Sequence, residues 1–222
     1  MKNMAPFKTF VFRELSVEEM RRRAAEFADE LHRRRSIRQF SPRHVPRVII
    51  EEVVRAAGSA PSGANLQPWR FVVIGESEVK RRIREAAEGE ERKFYGGRAP
   101  EKWLKALSPL GTNANKPFLE EAPWLIVVFA VMYGLNQRGD IEKHYYVKES
   151  VGIAVGILLT AIHQVGLCAL PYTPHRMRFL NTILQRPNNE KPFVIIPVGY
   201  PATDAVVPNI YRKPLEEITQ FL

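Results

Sequence analysis

From Val151 to Ile162 the chain carries no charged residue. Such a stretch is too short to cross a bilayer, which takes about 20 apolar residues. A helix that is apolar all round must instead be buried in protein on every side. The pattern predicts a helix from about Tyr145 to Val165, closed by Gly166, with Gly152 and Gly156 four apart on one face and suited to close helix packing. A subunit interface would supply part of the burial.

The other elements arrange themselves around this helix. Trp124 to Val131 reads as a continuous apolar strand, Phe71 to Ile74 and Phe193 to Val198 as further core strands, and Leu167 to Leu170 as a short one. Ser16-Val17-Glu18-Glu19 has the form of a capping box, followed at helical spacing by Met20, Ala24, Phe27, Ala28 and Leu31, so a first helix runs to about Arg34. A second starts near Pro46 and stops at Gly58, a residue suited to a left-handed helix end. Glu78 to Phe94 is a charged helix, residues 176–185 another, and the segment after Val131 a polar loop. Residues 96–117, rich in Gly, Pro, Lys and Asn around a short amphipathic piece at Trp103, read as a mobile lid. The C-terminal extension from about 203 to 222 carries Ile210, Leu215, Ile218 and Phe221, for which a partner subunit is the expected cover.

With 222 residues, no internal repeat, 45% hydrophobic and 26% charged residues, a single globular domain over 1–222 is expected. The lone Cys168 cannot form an internal disulfide and the N-terminus shows no apolar leader, which points to a cytoplasmic protein without a membrane anchor. The net charge of +9 and the basic runs at 21–23 and 33–35 raise nucleic-acid binding. No zinc-finger spacing or RNA-binding aromatic motif accompanies them. Neither G-x-G-x-x-G nor G-x-x-x-x-G-K-[ST] occurs, and the five histidines and Cys168 lack metal-ligand spacing, so no metal is expected.

Chemistry concentrates in a few places. Arg34-Arg35-Ser36-Ile37-Arg38 are either cations at a helix C-terminus or a multi-donor cradle for a phosphate and flavin. Gly63 in the loop SAPSGANLQPW is either a turn glycine or a point of close backbone approach to a ligand. Glu91 and Tyr95, four apart on one helix face, either face water or meet a ligand together with Lys116. Glu91 suits an ammonium, Lys116 a carboxylate, and Tyr95 an aromatic ring.

Arg34 to Arg38, the segment Ala60-Pro61-Ser62-Gly63-Ala64 to Pro68-Trp69, and Tyr211-Arg212-Lys213-Pro214 resemble, in that order, the nitroreductase superfamily. HYYVKESVGIA, LLTAIHQVGL, RAAGSAPSGA and IIPVGYPATDAVVPNIYRKPLEEI are similar to the iodotyrosine deiodinase family within it, and the likeness extends from about residue 30 to the end. Glu91, Tyr95 and Lys116 match the lid residues with which deiodinases clamp the amino-acid group of their substrate.

The resemblance implies an α+β fold with a mixed central sheet flanked by helices, in a homodimer that exchanges terminal segments and binds two FMN at its interface. It places FMN on Arg34, Arg35, Ser36, Ile37 and Arg38, on Pro61, Ser62 and Gly63, on Pro171, Tyr172 and Thr173, and on Arg212. The backbone N–H of Ala64 would meet the substrate's phenolate oxygen. Thr173 resembles the hydroxyl residue that hydrogen-bonds flavin N5, although it could also cap the following helix. Pro171 and Tyr172 stand where the vertebrate pattern has small hydroxyl residues, and Pro171 has no N–H to donate. The implied reaction reduces iodo-, bromo- or chlorotyrosine to tyrosine and halide, with electrons from NAD(P)H through a separate flavin reductase. Rivals are a general nitro- or quinone reductase on the same scaffold, a flavin-cleaving enzyme, and a non-catalytic flavin store.

Overall fold

In the computed structural model, which describes residues 7–222, the chain divides after Arg34. The N-terminal segment read above for a leader or anchor lies partly outside these residues. Before the division stands helix α1 (Val17–Arg33), opened by Ser16, whose Oγ accepts the Glu19 N–H at 3.3 Å. The Glu19 carboxylate is held by Arg22 at 2.7 Å and Arg23 at 2.6 Å, and their hydrogen bonds bring its pKa down to about 2.

From Arg35 onward the elements are α2 (Arg47–Ala57), β1 (Trp69–Ile74), α3 (Ser77–Lys93), α4 (Glu101–Leu107), α5 (Phe118–Glu121), β2 (Trp124–Val131), β3 (Tyr133–Leu135), β4 (Ile141–Lys143), α6 (Val147–Gln164), β5 (Cys168–Ala169), α7 (Phe179–Ile183) and β6 (Glu190–Gly199). The central sheet has the order β1-β2-β6-β5. Its ladders are antiparallel, and the parallel component of the expected mixed sheet is a single bridge between Ser36 and Ala169.

Alternation along the strands divides the core into two. Ile126, Val128, Val194 and Ile196 meet Ile50 and Val53 of α2 and Val151 and Leu158 of α6. On the opposite face Leu125, Val127, Phe129 and Ile195 meet Ile83 and Ala87 of α3, Leu119 of α5 and Leu180 of α7. Helices therefore flank both faces of the sheet. The β2–β6 register slips between Val128, opposite Val194, and Phe129, opposite Pro192. A proline cannot donate to a ladder, so it sits where the pairing is already broken.

Several expectations are revised. Gly58 ends α2 in the right-handed region at φ −67°, not the left-handed one, whereas Gly166 follows α6 at φ +75°. The helix read over 176–185 is confined to Phe179–Ile183. The loop after Val131 contains the β3–β4 hairpin, turned by Asn136, whose Oδ1 accepts the N–H groups of Arg138 and Asp140, both at 2.9 Å. The excursion 96–117 is structured around α4. Helix α6 is not buried all round in one chain: Val151, Ala154 and Leu158 are buried, while Gly152, Ile153 and Gly156 are exposed. Among the described residues no helix is long and apolar enough to cross a membrane.

Candidate active site

A cavity of about 240 Å³ opens on the α3 face of the sheet, between the end of α3, α4 and the chain segment 170–173. The i,i+4 spacing that suggested a shared face does put Glu91 and Tyr95 there together, and the lid returns Lys116 to the same place. Glu91 is 7% exposed and Lys116 2%. Their charges meet at 3.6 Å. Lys116 Nζ also donates to Thr112 Oγ1 at 3.1 Å and to the Asn113 carbonyl, and lies 5.6 Å from the Tyr95 ring centre. Burial pushes the lysine pKa down, and the Glu91 carboxylate opposes that shift. The backbone at this point is fastened from α3: the Lys116 N–H donates to Glu88 Oε1 at 2.8 Å, and Arg84 holds the same carboxylate at 2.9 Å.

The same cavity is also lined by Arg38, Pro171, Tyr172 and Thr173. Beyond β5 the chain continues along β6, with the Leu170 N–H donating to the Pro197 carbonyl at 3.3 Å, and Tyr172 and Ile195 exchanging N–H···O bonds of 2.8 and 2.9 Å. Neither Pro171 nor Tyr172 can therefore offer a flavin a backbone N–H. Residues directly opposite in an antiparallel pair share a face, so Tyr172 points, with Ile195, toward α3. Its hydroxyl donates to Glu91 Oε1 at 2.8 Å. Burial, reinforced by Glu91, raises the phenol pKa far above its ordinary value, which keeps it a donor.

Arg38 reaches the cavity because the Ile37 N–H donates to the Ala169 carbonyl at 3.3 Å, which lays residues 36–37 along the sheet edge. It is half-buried, its pKa is lowered by desolvation, and the ion pairs among the described residues leave it out. A cation withdrawn from water beside a cavity without a carboxylate partner fits an anionic or electron-rich ligand such as FMN. The Ile37 side chain, 8% exposed, belongs to the core, so only its backbone is left for a cofactor. The Arg35 guanidinium donates to the Pro208 carbonyl.

Pro61, Ser62, Gly63 and Ala64 lie outside this cavity's lining, as do Ser36 and the exposed Arg212. Their loop is pinned elsewhere: Ser62 Oγ accepts the Gln67 N–H at 2.9 Å, and the Gly63 N–H donates to Ser150 Oγ of α6 at 3.3 Å. A Cβ on Gly63 would come within 2.9 Å of the Tyr146 ring, so this glycine allows a close approach to the start of α6. Ala64, Asn65 and Gln67 have φ of 49°, 55° and 49°. Left-handed non-glycine residues cost energy and gather at ligand sites. The named loop bonds use the N–H groups of Gly63, Asn65, Leu66 and Gln67, passing over that of Ala64.

A sequence model of the nitroreductase family matches residues 31–200. An iodotyrosine deiodinase from Haliscomenobacter hydrossis is 50% identical over 213 residues, covering 96% of each chain. The chain belongs to the iodotyrosine deiodinases of the nitroreductase family. An animal deiodinase, from Nematostella vectensis, is 46% identical over 90% of this chain and 76% of its own. Among solved structures, oxidized iodotyrosine deiodinase bound to FMN and 3-iodo-L-tyrosine superposes with a TM-score of 0.77 at 31% identity, over 88% of this chain and 100% of that one. A BluB-like flavoprotein from Clostridium difficile shares the fold at TM-score 0.69 and 20% identity, over 88% of this chain and 98% of that one.

Membership of the deiodinases does not by itself reveal the aromatic wall of the cavity. Phe94 meets the Trp103 ring edge-on at 5.2 Å and lies 5.9 Å from His175. Trp103 stood out in the sequence as part of an amphipathic piece. Phe94 and His175 gave no signal, because their contact brings together the end of α3 and the segment after β5, far apart in the chain.

Proposed function

We propose that this protein is an FMN-dependent reductive dehalogenase of halogenated tyrosines. Two electrons and a proton replace the halogen of iodo-, bromo- or chlorotyrosine, giving tyrosine and halide. The observation that carries this reading is the burial of a carboxylate and an ammonium, Glu91 and Lys116, in one cavity lined also by Tyr95 and Arg38. A zwitterionic amino acid has the complementary pair of charges.

FMN, when bound, supplies the reducing electrons. Arg38 would face its ring system, with Arg34, Arg35, Ser36, the Ile37 backbone and Arg212 on its polar groups. Thr173, at the cavity wall, would donate its hydroxyl to flavin N5. Glu91 and Lys116 would exchange each other for the substrate's ammonium and carboxylate, and Tyr95 would cover its ring and exclude water.

The loop 61–64 would reach the flavin from a second copy of the chain, since it lies outside the lining of this copy's cavity. There Pro61, Ser62 and Gly63 would contact FMN and the Ala64 N–H would meet the phenolate oxygen. We place this homodimer, a single domain per chain, in the cytoplasm, with NAD(P)H electrons arriving through a separate flavin reductase. A general nitro- or quinone reductase has no use for a buried acid and lysine beside the flavin. Titration of the oxidised holoprotein should show 3-iodotyrosine binding at least tens-fold more tightly than 2-iodophenol. Equal affinities would remove the zwitterion clamp.

A further inference from the structure

The clamp contains a group beyond Glu91, Tyr95 and Lys116. Tyr172 stands on the sheet edge with both backbone polar groups bonded to Ile195. Its ring packs edge-on against Phe118 at 5.4 Å. From that fixed base its hydroxyl donates to Glu91 Oε1 at 2.8 Å, while its ring lies 5.6 Å from Lys116 Nζ. Glu91 itself comes from the last turn of α3, where the lid begins. Lys116 approaches the other oxygen, Oε2.

We propose that Tyr172 is the positioning residue for Glu91 and thereby a determinant of specificity for ligands carrying an ammonium group. The inference rests on the zwitterion reading given above. Tyr172 occupies Oε1 and fixes the rotation of the carboxylate, so Oε2 is the oxygen that passes from Lys116 to the ligand. A buried carboxylate with one oxygen already satisfied needs only one new donor to be fully paired when the ligand enters. Without the hydroxyl, Oε1 is stripped of its partner and the carboxylate is free to turn into the Lys116 ammonium, competing with the ligand. Tyr172 touches neither scissile bond nor electron path in this scheme. It acts through Glu91.

The test compares two ligands on the FMN-loaded holoprotein: 3-iodotyrosine, and the same iodophenol bearing a propionate side chain, which keeps the carboxylate and lacks the ammonium. Tyr172→Phe preserves the ring and its packing, and its flavin content reports folding. It should weaken 3-iodotyrosine by about tenfold, the scale of a hydrogen bond to a charged group, and change the propionate ligand by less than about twofold. In a Glu91→Gln background the same substitution should cost 3-iodotyrosine little further, because the partner it acts through is altered. Loss of both ligands in parallel, no loss of either, or an undiminished loss in the Glu91→Gln background would overturn the proposal. If the wild type fails to prefer 3-iodotyrosine over the propionate ligand, the zwitterion reading falls and this inference with it.

Discussion

Glu91 and Lys116 are buried against each other, so in the proposed clamp a zwitterion would enter by exchange of partners rather than by neutralising two bare charges. Glu91→Gln would leave the ligand's ammonium buried without a carboxylate, while Lys116 would still meet the ligand's carboxylate. A desolvated charge left unpaired typically costs about 2–5 kcal/mol, and binding of 3-iodotyrosine should weaken tens-fold or more, with reduction of a simple nitroaromatic retained. Burial lowers the Lys116 pKa, so the lysine loses its proton at a lower pH than an ordinary one. The affinity of the propionate ligand relative to 2-iodophenol should therefore fall as pH rises, beginning below the usual lysine range. Lys116→Met should flatten that ratio. Thr173→Ala should depress dehalogenation more than nitroreduction if the hydroxyl serves the flavin. Thr173 does not cap the next helix, since α7 begins at Phe179 with Arg178 at its N-cap, so a parallel fall in both activities would assign its hydroxyl a purely structural role. The Glu91–Tyr95 pairing was legible because helical spacing is local. Tyr172 was legible only as a neighbour of Thr173, since its direction is set by pairing with Ile195, far away in sequence.

The strands were read with least error where both faces are buried. Trp124 to Val131 is continuous in the sequence and is β2 in the structure, because a strand covered by helices on both sides needs apolar residues at every position. The β3–β4 hairpin escaped, since its order comes from the Asn136 side chain and a few ladder bonds rather than from an apolar pattern. Loop 60–67 was recognised as important, and its Gly63 packs against the start of α6. Gly63→Ala would push a methyl group to 2.9 Å from Tyr146. Overpacking of this kind costs about 1–3 kcal/mol, so the melting temperature should fall measurably even without ligand. The lid, α4 and its flanking turns, has its last strand of chain tied to α3 through Glu88. Hydrogen exchange over residues 96–110 should slow when 3-iodotyrosine binds, and a bare iodophenol should produce a smaller effect.

At the level of the molecule, one chain leaves apolar surface without cover. Ile153 is 46% exposed on α6, and Ile218 and Phe221 in the tail are 64% and 88% exposed. Contiguous exposed apolar surface of this kind suits association with another subunit. In the proposed dimer this surface would have a chemical purpose, because a second copy would carry Ala64 of the loop 61–64 to the flavin. Sedimentation of the holoprotein should show a dimer, and dilution that separates subunits should release flavin. The uncharged stretch of α6 carried the expectation of a subunit interface, and the structure leaves Gly152, Ile153 and Gly156 of that stretch exposed. The central claim is tested most directly by reducing the flavin-loaded protein anaerobically, adding 3-iodotyrosine, and measuring iodide and tyrosine. One iodide and one tyrosine per reduced flavin are expected, and a reduced flavin that persists while iodotyrosine remains intact would contradict it.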